Sequence, residues 1–552
     1  MKNSKILFFV LLVVLLLPNL VLSFTEALSP MGRLTMCVLP LSLYWLLMTL
    51  YRKPGVVAWC AFPLLFLGAF QLVLSYLFGQ GVIAVDMWLN LVTTNTGEVN
   101  ELLSQLLPAI VTVVVIYIPL LVYATYSCLK GTELSQAFLR RNRKWGGSLL
   151  AVGFVLLIGC YGEGKYQIKN DLFPFNACYN CYLAFERNAM SRNYVEASRN
   201  FRFNARSAHP DTLSEVVVCV IGETSRALNW SLYGYKRLTN PVLAGIEGLT
   251  VFRDALSQSN TTHKSVPILL SLASAENYDI LYKTKGILAA YREAGFYTCF
   301  FSNQQRNHSY IDFLGEQADE CVFVKEKLGE QIHDVALLAF LEKALKEHSG
   351  KLFVVLHTYG SHFNYNDRYS SENVAFGPDK IPSAAKRYRR ELMNAYDNTI
   401  RATDDFLGRI VGILDDGERI ASMLYTSDHG EDIFDDARER FLHASPQPTY
   451  YQLHVPLLVW TSLGYREAFP ENQALLAARQ HTPVGSDCVF HTLLGLGGIE
   501  TPYRNDSLSL VSPSFKAKER HYINDHNQPV RLSDCLGKLD LEILKENKQR
   551  YE

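Results

Sequence analysis

Apolar and polar positions alternate along this chain in two regimes. Up to about residue 161 the apolar residues form long runs, 5–24, 34–51, 56–79, 107–128 and 146–162, broken by short polar stretches. Each approaches the roughly 20 residues that a helix needs to cross a bilayer. Five transmembrane helices are therefore predicted, the last of them short and glycine-containing. Lys2 and Lys5 ahead of the first run also fit a cleaved leader. Four further runs follow, however, and Pro18-Asn19-Leu20 offers no small-residue cleavage site, so the first run is read as a span.

From about residue 215 the pattern changes. Short apolar, β-branched or aromatic runs at 216–221, 296–301, 352–357, 422–426 and 455–460 have the length of buried strands. Between them lie amphipathic stretches, one over 334–346 with Val335, Leu337, Leu338, Leu341 and Leu345 on one face and a longer one over 386–414. This alternation predicts a mostly parallel sheet covered on both faces, with ligands bound at the carboxyl ends of its strands. The expected fold class is an α-helical membrane domain joined to an α/β domain. Three segments follow: a transmembrane domain over 1–162, a juxtamembrane connector over 163–212 and a catalytic domain over 213–552. The connector carries Lys165, Lys169, Arg187, Arg192, Arg199, Arg202 and Arg206 among aromatic residues and is read as resting on membrane lipid headgroups.

Charge orients the helices. Lys2 and Lys5, then Arg52 and Lys53, then Lys130, Arg140, Arg141, Arg143 and Lys144 fall on one side, which is the cytoplasmic one. The opposite segment 81–106 holds Asp86, Glu98 and Glu101 and no Lys or Arg, so an odd number of spans places the α/β domain outside the cytoplasm. Over the whole chain, 53 Lys+Arg against 54 Asp+Glu give no pull toward nucleic acid, and none is expected as a partner. Of eleven cysteines, Cys178 and Cys181 are read as a local disulfide or free thiols and Cys219 as core.

Candidate chemistry collects where the strands end. The run 216–221 leads into Gly222-Glu223-Thr224-Ser225, and 422–426 into Ser427-Asp428-His429-Gly430-Glu431-Asp432. The run 352–357 leads through Gly360-Ser361 to His362, and His443 follows in Phe441-Leu442-His443-Ala444. Glu, Asp and His delivered by four separate segments suit zinc, which takes oxygen and imidazole ligands and leaves a position open in catalytic sites. A nucleophile can come from Thr261 or Thr262 in Ser259-Asn260-Thr261-Thr262-His263-Lys264-Ser265-Val266-Pro267, just before an apolar helix expected to begin near Pro267. Metal coordination there lowers a hydroxyl pKa, and helix N–H groups hold phosphate oxygens.

Taken jointly, Asp86-Met87-Trp88-Leu89-Asn90, Ile221-Gly222-Glu223-Thr224-Ser225-Arg226, Leu232-Tyr233-Gly234-Tyr235, the 262–267 segment, Gly360-Ser361-His362 and Ser427-Asp428-His429-Gly430-Glu431 resemble the phosphoethanolamine transferases of Gram-negative bacterial inner membranes, members of the alkaline phosphatase/sulfatase superfamily. The resemblance implies an alkaline-phosphatase-like domain in the periplasm. It implies zinc held by Glu223, Thr262, Asp428 and His429, with Thr262 the nucleophile. His362 and His443 match positions that contact the phosphoryl group or a further zinc. The implied donor is phosphatidylethanolamine, and the implied acceptor is lipid A or another lipopolysaccharide or periplasmic glycan. Gln258 and Ile268 stand where lipid A-modifying members commonly carry a cysteine pair. Alternatives are a glycerophosphotransferase resembling lipoteichoic acid synthase, a membrane-anchored sulfatase or phosphatase, and a binding module that has lost turnover.

Overall fold

The computed structural model describes residues 2–26, 28–79, 81–93, 96–164, 166–329, 332–415 and 419–551. Lys165 and the side chains of Lys2, Asn90, Glu98 and Glu101 lie outside that description. The chain divides into two compact units, one running to Arg187 and one from Asn188, a boundary that falls within the 163–212 segment.

The N-terminal unit contains α1 (Lys2–Thr25), α2 (Pro30–Met48), α3 (Pro54–Cys60), α4 (Phe62–Phe78), α5 (Val85–Thr93), α6 (Thr96–Leu129), α7 (Gln136–Gly162) and most of α8 (Phe175–Arg192). Among the described residues four helices are long and apolar enough to cross a membrane, or five if the pair α3 and α4, bent by 62°, makes one span. The run read as a single span over 56–79 is thus broken. Pro63, in the first turn of α4, has no N–H to continue a helix from α3, and its ring crowds the carbonyl four residues back. On α6, Val111, Val114, Val115, Ile118 and Val122 are exposed at helical spacing, an apolar stripe whose natural solvent is lipid. All eleven cysteines are free thiols, which settles Cys178 and Cys181, and Cys219 is fully buried.

The C-terminal unit is built on a seven-stranded sheet. Its strands are β1 (Glu215–Gly222), β2 (Leu249–Phe252), β3 (Tyr297–Ser302), β4 (Glu320–Phe323), β5 (Leu352–His357), β6 (Ile420–Ser427) and β7 (Leu457–Thr461), in spatial order β2-β7-β6-β1-β5-β3-β4. Contacts from β6 to β4 are parallel, and β7 runs antiparallel to both of its neighbours. The five strands read from sequence are all present. The two not foreseen, β2 and β4, are the four-residue edges.

Side chains alternate across β1, so one strand feeds two cores. Val217, Cys219 and Ile221 join α9 (Thr262–Leu270) and α10 (Cys488–Leu496) through Ile268, Leu269, Phe490 and Leu493. Val216, Val218 and Val220 join α11 (Arg389–Leu414) and α12 (Leu337–Glu347) through Tyr396, Ile400, Leu337 and Leu341. With both faces covered, every residue of β1 is buried, and the chemistry can emerge only at its ends.

Candidate active site

β1 and β6 are parallel neighbours in a register that pairs Gly222 with Ser427. The next residue on each strand is a carboxylate, so this register alone sets Glu223 beside Asp428. Both are buried, as is His429. The turn after β1 is sharp: Thr224 adopts φ 60°, a left-handed conformation that costs a β-branched residue roughly 1–2 kcal/mol. Three hydrogen bonds hold it. Thr224 N donates to Asp428 Oδ1 (3.0 Å), its hydroxyl donates to Glu223 Oε1 (2.8 Å), and its carbonyl accepts from Tyr396 Oη (2.8 Å). Gly360, at φ 50°, comes so close that a Cβ there would sit 2.8 Å from Glu223 N, so only glycine lets the β5 loop seat against this turn.

His429 donates from Nδ1 to the Gly430 carbonyl at 2.9 Å, because a carbonyl can only accept. Its Nε2 therefore presents a lone pair, 3.2 Å from Asp428 Oδ2 and 3.5 Å from Glu223 Oε1. Thr262 Oγ1 lies 3.1 Å from Glu223 Oε1 and 3.2 Å from His429 Nε2. Thr262 opens α9 rather than preceding it; the helix begins five residues before Pro267. Pro267 has no N–H to give the His263 carbonyl, and the Tyr278 hydroxyl donates to that carbonyl instead (3.3 Å).

Ligand atoms of Glu223, Asp428 and His429 all lie within 4.8 Å of one another. Burial, together with the neighbouring Asp428 charge, holds the Glu223 carboxyl well above the usual range, and burial pushes Asp428 up to about 6 and His429 well down. Asp428 Oδ2 finds no hydrogen-bond donor among the described residues. Two adjacent buried carboxylates, an imidazole lone pair and a hydroxyl are thus short of positive charge, and a divalent cation meets that need. The donor set fits zinc.

The other two histidines read from sequence join the same cluster. The His443 ring is centred 4.2 Å from that of His429 and 6.1 Å from that of His362. His362 donates from Nδ1 to the Phe363 carbonyl (2.6 Å), and burial pushes its pKa down to about 3. Three contributors were given no role from the sequence, although Glu431 stands in the motif that follows β6. Glu431 Oε2 lies 3.5 Å from His443 Nδ1, and Tyr365 donates its hydroxyl to Glu431 Oε1. Gln304, just past the tip of β3, donates to the Thr358 carbonyl at 2.9 Å and lies 3.5 Å from Glu223 Oε2. The strand-tip rule that found Glu223 reaches Gln304 as well; no local signal points to Tyr365.

A parallel sheet whose strand tips gather carboxylates and imidazoles around a threonine at a helix start is the architecture of the alkaline phosphatase/sulfatase class. Residues 215–499, just over half of the chain, match the Sulfatase family, and the protein belongs to that family. Phosphoethanolamine transferase EptA of Salmonella typhimurium is 29% identical over 314 residues, 55% of this chain and 57% of that protein, so the match spans little more than half of the relative's length. The integral membrane protein lipooligosaccharide phosphoethanolamine transferase A from Neisseria meningitidis shares the fold over 92% of this chain and 98% of its own, with a TM-score of 0.72 and 21% identity. The C-terminal periplasmic domain of EcEptC from Escherichia coli, in complex with Zn, covers 60% of this chain and 95% of its own, with a TM-score of 0.54 and 24% identity. The resemblance read from the motifs is borne out for the alkaline phosphatase/sulfatase superfamily and for the fold.

Proposed function

We propose that this protein is a zinc-dependent phosphoethanolamine transferase of a bacterial inner membrane, with its catalytic domain in the periplasm. It moves phosphoethanolamine from phosphatidylethanolamine to lipid A or another lipopolysaccharide or glycan acceptor. The observation that carries this reading is the position of Thr262: a hydroxyl at the first turn of a helix, within 3.2 Å of both a buried carboxylate and an imidazole lone pair. The names of the Salmonella and Neisseria relatives supply the transferred group and the acceptor class. The zinc complex of the Escherichia coli domain agrees with the donor set.

In this reading Glu223, Thr262, Asp428 and His429 hold the zinc. Bound there, zinc lowers the pKa of the threonine hydroxyl and offsets negative charge on the phosphoryl oxygens. Thr262 Oγ forms a bond to phosphorus as the bond from phosphorus to the diacylglycerol oxygen breaks, and that oxygen leaves with a proton as diacylglycerol. The N-terminal end of α9 favours the negative phosphoryl oxygens, and His362 and His443 contact them as well. An acceptor hydroxyl oxygen then bonds to phosphorus as the bond from phosphorus to Thr262 Oγ breaks, and the proton the acceptor gives up returns to Thr262. The apolar helices of the N-terminal unit keep the enzyme at the surface where both lipids reside.

Intact-protein mass spectrometry after incubation with phosphatidylethanolamine, comparing the wild type with Thr262→Ala, tests the proposal. A phosphoethanolamine adduct on the wild type alone supports donor, nucleophile and transfer together. Diacylglycerol release with no adduct points to hydrolysis, and absence of both excludes this donor.

A further inference from the structure

Three of the four proposed metal ligands, Glu223, Asp428 and His429, come from two loops, and one buried side chain spans both. Arg226 ends the turn that begins at Glu223 and is 2% exposed. Its Nη1 donates to the Glu431 carbonyl (3.0 Å), two residues past His429, and to Asp435 Oδ2 (2.6 Å); Nη2 donates to Asp435 Oδ1 (3.0 Å). Nε donates to Asn229 Oδ1 (2.7 Å), whose amide in turn donates to Asp397 on α11 (2.6 Å). The guanidinium lies over the rings of Tyr396 and Tyr451, at 5.5 and 5.3 Å. Tyr396 Oη accepts from Arg226 N (2.9 Å) while donating to the Thr224 carbonyl, so the same ring grips the strained turn itself. On the other loop Gly430 packs against the Arg226 stem, and a Cβ there would sit 2.7 Å from Arg226 Cβ and 2.3 Å from the Tyr451 carbonyl.

We propose that Arg226 is a positioning residue, a planar clamp that fixes the Glu223 turn relative to the Asp428-His429 loop and thereby sets the spacing of the metal donors. The proposal rests on the reading of Glu223, Asp428 and His429 as metal ligands. The geometry asks for guanidinium chemistry: Arg226 serves a carbonyl, a bidentate carboxylate and an amide oxygen in different directions, and an ammonium cannot reproduce that fork. Its ion pair with Asp435 keeps the buried charge compensated, leaving the fork free to fix distance and angle. None of its contacts is made to the donor atoms, so its influence is on their placement.

The test is zinc affinity of the full-length protein in detergent, measured by competition with a chromophoric chelator, alongside the melting temperature of the metal-free protein. Arg226→Gln is expected to weaken zinc binding by about 10–100-fold, the scale on which outer partners of metal ligands act. Arg226→Lys keeps the charge opposite Asp435 and is expected to recover only part of that loss. Should Arg226→Gln fail to fold with Asp435 left unpaired, the double variant Arg226→Met, Asp435→Asn removes both charges and is expected to show the same weakening. Tyr291→Leu, which removes a ring stacked on Phe353 at the far end of β5, is the matched control and is expected to melt earlier with zinc affinity unchanged. Zinc affinity unchanged in folded Arg226 variants, or reduced no more than in Tyr291→Leu at equal loss of melting temperature, overturns the proposal. His429→Ala retaining wild-type zinc affinity overturns both the metal-site reading and the role of Arg226 within it.

Discussion

Glu223, Asp428 and His429 on one side, and His362 and His443 on the other, share one cluster but are held in different ways. The first three sit on the tips of adjacent parallel strands, with side chains at most 2% exposed and a Thr224 N–H, a Gly430 carbonyl and a strained turn fixing their directions. His443 lies on a loop with its side chain 20% exposed, and His362 is half-buried on the β5 loop. Strand tips supply a rigid donor set, and loops supply groups that can adjust to a substrate. Thr262 stands between the two, fixed by a helix start yet open to solvent on one side.

The largest effect is expected where the two halves meet. Thr262→Ala should abolish the covalent adduct and lower transfer by about 10⁴-fold or more, as loss of a nucleophile does. Retention of the adduct in that variant would move the nucleophile elsewhere, with Thr261 the neighbour to examine. Next come the rigid ligands. Asp428→Ala or His429→Ala should lower zinc content and turnover together, turnover by about 10³-fold, the scale on which a preorganised electrostatic group acts. Elemental analysis beside an activity assay checks this, and normal zinc occupancy in both variants sinks the assignment. Chelation of the wild type should reproduce the loss and added zinc should reverse it.

The adjustable half should respond differently. His362→Ala and His443→Ala are expected to lower turnover by about 10²-fold with zinc content unchanged, since these rings approach the donors without supplying the buried set. A parallel loss of zinc in either variant would erase the distinction between the halves and make that histidine a ligand.

Much of this arrangement is legible in the sequence because the physics is local. A six-residue apolar run that ends in Gly-Glu-Thr is a buried strand with a carboxylate at its tip, and no tertiary information is needed to say so. β2 and β4 escape the same reading because edge strands bury only part of their surface; their four residues carry too little pattern to stand out. The bend between α3 and α4 is hidden in composition, since hydropathy counts apolar residues and ignores the missing N–H of Pro63. The Arg226 clamp is illegible for another reason. Its partners lie at 229, 396, 431, 435 and 451, and nothing in any one segment signals the others.

Pro267 shows how a sound local rule can misplace an element. Proline favours the first turn of a helix, so the sequence puts the start of α9 beside it. The helix instead reaches back to Thr262, with the Tyr278 hydroxyl donating to the His263 carbonyl where Pro267 cannot. Tyr278→Phe removes that donor while keeping the ring, so it asks how firmly the helix start holds the nucleophile. A neutral hydrogen bond of this kind contributes about 1 kcal/mol, so the melting temperature should fall by a few degrees at most. If the start of α9 is what places Thr262 between Glu223 and His429, the rate of adduct formation should fall several-fold while zinc content holds. An unchanged rate with a lowered melting temperature would show that the two neighbours, and not the helix, fix the hydroxyl, and Thr262 would then belong wholly to the rigid half of the site.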